Sequence, residues 1–194
     1  MRPLLAPLAV LALSAAPRAD LQAAKRRVQE ACRAQGLAWP LKAPRILIEK
    51  GQRRLTLLAE ERPLRVYRVA LGASPELDKE REGDHRTPEG EFYLCSRNAA
   101  SPFHLFLGLS YPGPQAAERG LKAGLITRAQ RDAILRATEA KMATPQFTRL
   151  GGLVGIHGGG DGSDWTWGCI ALTDAGIEEV WVACPSGTPV EIRK

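Results

Sequence analysis

The sequence predicts a mostly-β domain with two or three peripheral helices. Short apolar stretches of β-type character recur between turns, and strands and helices do not alternate in the regular order that parallel βαβ units require. The chain is also turn-rich and aromatic-poor, with 19 glycines, 14 prolines and 6% aromatic residues in 194. That length suits one domain and is short for two. Hydrophobic residues make up 44% and charged residues 25%, the balance of a folded globular chain rather than a disordered one. No apolar run reaches the ~18–20 residues of a spanning helix, which excludes a multi-pass membrane protein.

The elements follow in order. Arg2 and the apolar stretch Leu4 to Ala16, interrupted at Pro7 and followed by Pro17, form a charged start and a short hydrophobic region. Residues 1–19 therefore read as a signal peptide, with Asp20 a candidate first mature residue, and predict export to the periplasm or cell envelope. Leu21, Ala24, Val28, Ala31 and Cys32 recur at helical spacing, with Asp20 able to cap the start and Gly36 to end it. With a linker through Trp39, Pro40 and Pro44, that helix occupies 20–44, ahead of a domain over 45–194. Arg45 to Glu49 and Arg53 to Leu58 form a hairpin across Lys50-Gly51-Gln52, and Leu64 to Leu71 is a third strand. The charged stretch Gly72 to Pro88 is a loop, and Glu91 to Ser96 a fourth strand.

In Phe103 to Ser110 the residues Phe103, Leu105, Leu107 and Leu109 alternate with His104, Phe106 and Gly108, giving a half-buried strand. Tyr111 to Pro114 breaks it. Thr127-x-x-Gln130 is a capping box opening a helix to about Met142. Leu153 to His157 and Gly168 to Leu172 are short buried strands around the glycine-rich loop Gly158 to Ser163. Thr173 or Asp174 caps a helix with the stripe Ile177, Val180, Trp181 and Cys184. Thr188 to Ile192 is the last strand.

The formal net charge of +6 falls by two if residues 1–19, with Arg2 and Arg18, are removed. The basic residues are dispersed (Lys25 to Arg27, Arg53 and Arg54, Arg62, Arg65 and Arg68), without the dense stripe or aromatic platforms of a nucleic-acid surface. A modest positive charge suits an anionic polymer such as cell wall. The four cysteines, Cys32, Cys95, Cys169 and Cys184, contain no C-x-x-C. If one thiol stays free for chemistry, at most one disulfide forms among the other three.

The informative stretch runs from Gly155-Ile156-His157-Gly158 to Trp167-Gly168-Cys169-Ile170. Histidine ends one apolar run, and cysteine begins another twelve residues later. Adjacent strands would set an imidazole beside a thiol, able to take its proton. Gly168 permits a sharp turn that faces amides toward a developing oxyanion. Other readings stand beside this one: a cysteine in an apolar run is ordinarily a core residue, and a histidine before glycines ordinarily bonds to backbone. Metal binding wants three or four ligands, and His85 and His104 lie in unrelated segments; no metal and no cofactor is assigned.

His157-Gly158 with Thr166-Trp167-Gly168-Cys169-Ile170-Ala171-Leu172-Thr173-Asp174 resembles the signature of the YkuD-type L,D-transpeptidase catalytic domain. Gly83 to Phe92, containing Thr87-Pro88-Glu89-Gly90, resembles that family's G-x-x-x-T-P-x-G-x-F segment. Phe103-His104-Leu105 through Ser110-Tyr111-Pro112, and the ending Thr188 to Ile192, resemble its YafK/ErfK-like branch. The resemblance covers about residues 45–192 and implies a β-sandwich with peripheral helices. It implies Cys169 as nucleophile, His157 as general base and the Gly158 carbonyl as the group orienting the imidazole. Gly168 and Cys169 amides would form the oxyanion hole, with Thr166 and Trp167 touching substrate. Asp161 and Asp164 are rival orienting groups, and Trp167 could equally pack beside the strand. Ala171 stands where an arginine is common, which removes a carboxylate partner.

The implied substrate is a peptidoglycan stem tetrapeptide, acylating Cys169 with loss of the terminal D-alanine. The acyl group would pass to another stem peptide or to a lysine of a wall-attached envelope protein. The alternative is a hydrolase, an L,D-carboxypeptidase or amidase using the same site. A binding module without catalysis would need neither His157 nor Cys169.

Overall fold

The computed structural model describes residues 19–194; the signal-peptide reading falls, for residues 1–18, outside the described residues. Asp20 caps α1 (Leu21–Ala34), its carboxylate accepting the Ala23 amide at 2.9 Å. Ala24, Val28 and Cys32, spaced by four, form the buried face of α1. They pack near α4 (Asp174–Ala183), which Thr173 caps through the amide of Gly176.

Strands β1 (Pro44–Glu49), β2 (Arg54–Ala59) and β3 (Arg62–Arg68) form an antiparallel meander. β8 (Pro189–Arg193) pairs parallel to β1 and antiparallel to the first residues of β4 (Gly90–Ser101). Beyond Tyr93, β4 leaves β8 and pairs with β5 (His104–Leu109), which pairs antiparallel with β6 (Gly155–His157); β7 (Ile170–Ala171) completes the order parallel to β6. The two layers are therefore one eight-stranded mixed sheet, β3-β2-β1-β8-β4-β5-β6-β7, curled through the shared strand β4. Isolated bridges Ala70–Ala171 and Gly72–Thr166 connect the segment after β3 to the region of β7. The expected third strand thus ends at Arg68. Its continuation leaves β2 and reaches across the curl.

Ile46, Ile48, Leu55, Leu57, Leu94, Leu105, Leu107 and Ile156 fill the interior. One element differs from the sequence reading: α2 (Pro114–Lys122) begins where a strand break alone was expected. Pro114 sits at the first helical position, where its missing N–H costs nothing and its fixed φ suits the helix. α2 and α3 (Arg128–Glu139) enclose a small second core of Ala117, Ile126, Ile134 and Leu150. The Thr127–Gln130 capping box is present, and α3 ends three residues before Met142.

The charged loop after β3 is held by two buried ammonium groups. Lys50 is 2% exposed, and its three donors are all satisfied, by Leu77 O, Thr87 O and Glu89 Oε1 at 2.8–3.0 Å. Lys79 bonds Arg81 O and Asp84 Oδ1 at 3.0 and 2.7 Å. Asp84 also accepts the amides of Glu80, Arg81 and Arg86, and these bonds hold its carboxyl below the usual range against the opposing effect of burial. We expect Lys50→Met, which keeps the stem but strands those acceptors, to cost about 2–3 kcal/mol. Thermal melts should show the loss, and limited proteolysis should cut the 72–88 loop faster.

Candidate active site

β6 and β7 bring the sequence-predicted pair to one face. Their parallel register matches Ile156 with Ile170 and His157 with Ala171. Extended one residue back, it sets Cys169 opposite Gly155. Residues two apart along a strand share a face, so Cys169 and His157 project from the same side, one diagonal step apart.

His157 is buried. Its Nδ1 lies 2.6 Å from the carbonyl oxygen of Gly158. That acceptor places the ring proton on Nδ1 and leaves the Nε2 lone pair as the basic one. Burial pushes the imidazole below its ordinary pKa, opposed by the bond to Gly158, so the ring is neutral at neutral pH. Phe103 stacks near it at 4.8 Å between centroids, Phe106 lies nearly parallel at 6.3 Å, and Trp165 meets it edge-on at 5.6 Å.

The half-buried Cys169 thiol is 3.5 Å from the carbonyl oxygen of Leu153. No hydrogen bond joins it to His157 in this structure. Burial pushes its pKa up to about 11, outweighing the backbone hydrogen bond from Gly155 and the charge of Lys79, which pull it down. Both partners of the pair are therefore neutral at rest.

The turn before Cys169 is built at close quarters. Gly168 has φ +128°, and a Cβ there would meet Arg86 O at 2.6 Å. A Cβ on Gly72 would meet His85 O at 2.1 Å and the Gly168 Cα at 3.1 Å. Thr166 is buried, accepting the Gly168 amide at 3.1 Å and donating to Cys169 O at 2.8 Å. Thr166 thus shapes the turn rather than presenting its hydroxyl to substrate. The Gly168 amide, read from sequence as an oxyanion donor, is already bonded. Among the described residues no acceptor takes the Cys169 amide.

Trp167 is 82% exposed, and its ring stacks on His85 at 5.8 Å. Ala171 is fully buried beside Ala70, so that position presents no side chain to a substrate carboxylate. Asp164 pairs with Arg53 and accepts the Leu71 amide, Asp161 offers its carbonyl to Arg68, and neither bonds the imidazole. Cys32 and Cys184 are buried and Cys95 half-buried, and all four cysteines are thiols. Among the described residues no three His, Cys, Asp or Glu side chains gather to hold a metal ion. No described helix is long and apolar enough to cross a membrane.

The sequence profile of YkuD, the L,D-transpeptidase catalytic domain, matches residues 43–192. The chain belongs to the YkuD family. The chain is also similar to solved structures. A mutant of Pgp2, the helical cell shape determining protein of Campylobacter jejuni, is 20% identical with a TM-score of 0.51, over 92% of this chain and 57% of that one. Another structure of Pgp2 gives 22% and 0.50, over 78% and 48%. The L,D-transpeptidase of Xylanimonas cellulosilytica (residues 123–326) is 16% identical with a TM-score of 0.45, over 84% and 68%. The present chain thus spans about half the length of Pgp2. Comparison with curated proteins returned no match.

Sequence reasoning missed Phe103 at this site, because its alternation with Leu105 and Leu107 placed it on the core face. As the thiolate is the reactive form, a thiol with a pKa of about 11 should be alkylated slowly at neutral pH. Iodoacetamide labelling of Cys169, followed by peptide mass spectrometry, should accelerate by about tenfold per pH unit through the alkaline range. A plateau reached near neutrality would contradict it.

Proposed function

We propose that this YkuD domain is a cysteine-dependent L,D-transpeptidase acting on peptidoglycan stem peptides. The observation that carries the reading is the His157–Gly158 bond. It ties down Nδ1 and leaves Nε2 as a neutral base on the face that bears Cys169. Rotation of the thiol away from Leu153 brings sulfur toward Nε2, which takes the S–H proton as sulfur attacks the carbonyl of the third stem residue. The Cys169 amide donates to the oxyanion. Collapse breaks the peptide bond, and His157 returns the proton to the departing D-alanine amine. An amine of another stem peptide or of an envelope protein then attacks the thioester and gives its proton to Nε2; the C–S bond breaks, and His157 returns that proton to the Cys169 sulfur.

A protein proton that moves only during attack suits this site, because a standing thiolate–imidazolium pair would have to be held in a desolvated pocket. The exposed Trp167 forms one wall of the peptide cleft. The fold likeness to a cell shape determining protein supports a role in wall architecture. The apolar segment Leu4 to Ala16 supports export to the periplasm or cell envelope.

Incubation with a carbapenem should add its mass to Cys169. Cys169→Ser should abolish the adduct and His157→Ala should slow its formation by ~100-fold or more. Acylation that survives in Cys169→Ser would overturn the nucleophile. Product analysis on purified sacculi separates the outcomes: new cross-links or attached protein mark a transferase, and shortened stems or released protein mark the hydrolase. A reporter fused after Asp20 should be recovered outside the cytoplasm; cytoplasmic retention would overturn the export reading.

A further inference from the structure

We propose that Phe103 is the positioning residue of His157, and that the tip of the β4–β5 hairpin is anchored in order to hold it there. The inference rests on the reading of His157 as the base that serves Cys169.

Phe103 grips the His157–Gly158 unit twice. Its ring stacks near the imidazole, with centroids 4.8 Å apart and planes 28° from parallel. Its carbonyl oxygen accepts the amide of Gly158 at 3.0 Å. The carbonyl of that same Gly158 receives Nδ1 of His157 at 2.6 Å. One residue thus bears on both the ring and the backbone that sets the ring's hydrogen bond. Little room is left for slippage: a Cβ on Gly158 would lie 2.5 Å from Asp174 Oδ1, 3.0 Å from Phe103 O and 3.1 Å from the His104 Cβ.

The position is poorly explained by stability. Phe103 is 42% exposed and lies outside both buried clusters. An aromatic ring at a hairpin tip, half in water, contributes less burial than Leu105 or Leu107 of the adjoining β5. The chain nevertheless accepts strain to place it. The next residue, His104, has φ +70°, a left-handed conformation uncommon for a residue with a side chain. His104 Nε2 is held 2.9 Å from Oε1 of the buried Glu178, on the helix that follows the Cys169 strand. Ser101 Oγ accepts the Phe103 amide at 3.1 Å from the other side of the turn. A strained residue kept in place by a buried carboxylate fits a segment whose geometry matters to the site beside it.

The other aromatic neighbours do different things. Phe106 is the cross-strand partner of His157 and its ring is farther away, at 6.3 Å. Trp165 meets the imidazole edge-on and uses its indole N–H on Gly160 O. Phe103 alone combines a close stack with a main-chain bond to Gly158.

The test uses the full chain and the carbapenem reaction at Cys169, recording the maximal acylation rate and the half-saturating concentration separately. An aromatic pair contributes ~0.5–1.5 kcal/mol, so Phe103→Leu should lower the maximal rate about three- to tenfold. The half-saturating concentration and the melting midpoint should stay near wild type. Phe103→Tyr, which keeps the ring, should restore the rate. A residue that served only stability would move the midpoint and would not separate leucine from tyrosine. If Phe103→Leu and Phe103→Tyr both acylate as fast as wild type while His157→Ala is slow, the clamp is wrong and the base assignment stands. If His157→Ala acylates at the wild-type rate, the base assignment fails and takes the clamp with it.

Discussion

Three stretches of backbone meet beside Cys169, and they can meet only because two of them lack side chains there. Gly72 lies against His85, and Gly168 lies against both Gly72 and Arg86, at separations that exclude a Cβ on either glycine. The bridge between Gly72 and Thr166 and the one between Ala70 and Ala171 belong to the same junction. Together they bring the segment after β3 onto the far end of the sheet. The nucleophile's turn is therefore set by tertiary contact as much as by its own residues. The loop that supplies His85 and Arg86 needs rigidity of its own, which Lys50, Lys79 and Asp84 provide from inside. Buried ammonium groups are expensive unless fully bonded, and Lys50 meets that condition with three oxygen acceptors.

The same closeness sets the electrostatics. A sulfur seated among backbone groups loses solvation, and the desolvation outweighs the nearby Lys79 charge. The imidazole, walled by three aromatic rings, loses its proton for the same reason. Desolvation acts in opposite directions on the two pKa values because the charged form is an anion in one and a cation in the other. The result is a pair of neutral groups, which costs less to bury than an ion pair.

Much of this was legible in the sequence, and the divisions between legible and hidden are physical. Hairpins, the Thr127 capping box and the short strands flanking His157 and Cys169 depend on local pattern, and they appear where the pattern puts them. The insertion of β8 between β1 and β4 depends on pairing across more than ninety residues, which no local period encodes. Pro114 reads as a breaker by composition and as a helix start by geometry. Thr166 and Gly168 stand in the right motif, but their hydrogen bonds face each other rather than a substrate. Phe103 follows the strand's alternation, yet it sits beyond the point where the turn has redirected the chain.

The adjacent acids of α4 tie α1 to the rest of the domain. Glu178 and Glu179 are both buried, and α1 supplies part of their bonding through the Asp20 amide and Arg27. His104, Arg65 and Tyr67 supply the rest from the sheet. The family profile begins at residue 43, after α1 has ended. The two carboxylates therefore lie inside the family match, while the Asp20 amide and Arg27 that bond them lie before it. Removing α1 from this chain would strip Glu178 of the Asp20 amide and Glu179 of Arg27, leaving two buried acids with fewer partners. The matched domain thus draws on polar groups of a helix that precedes the match.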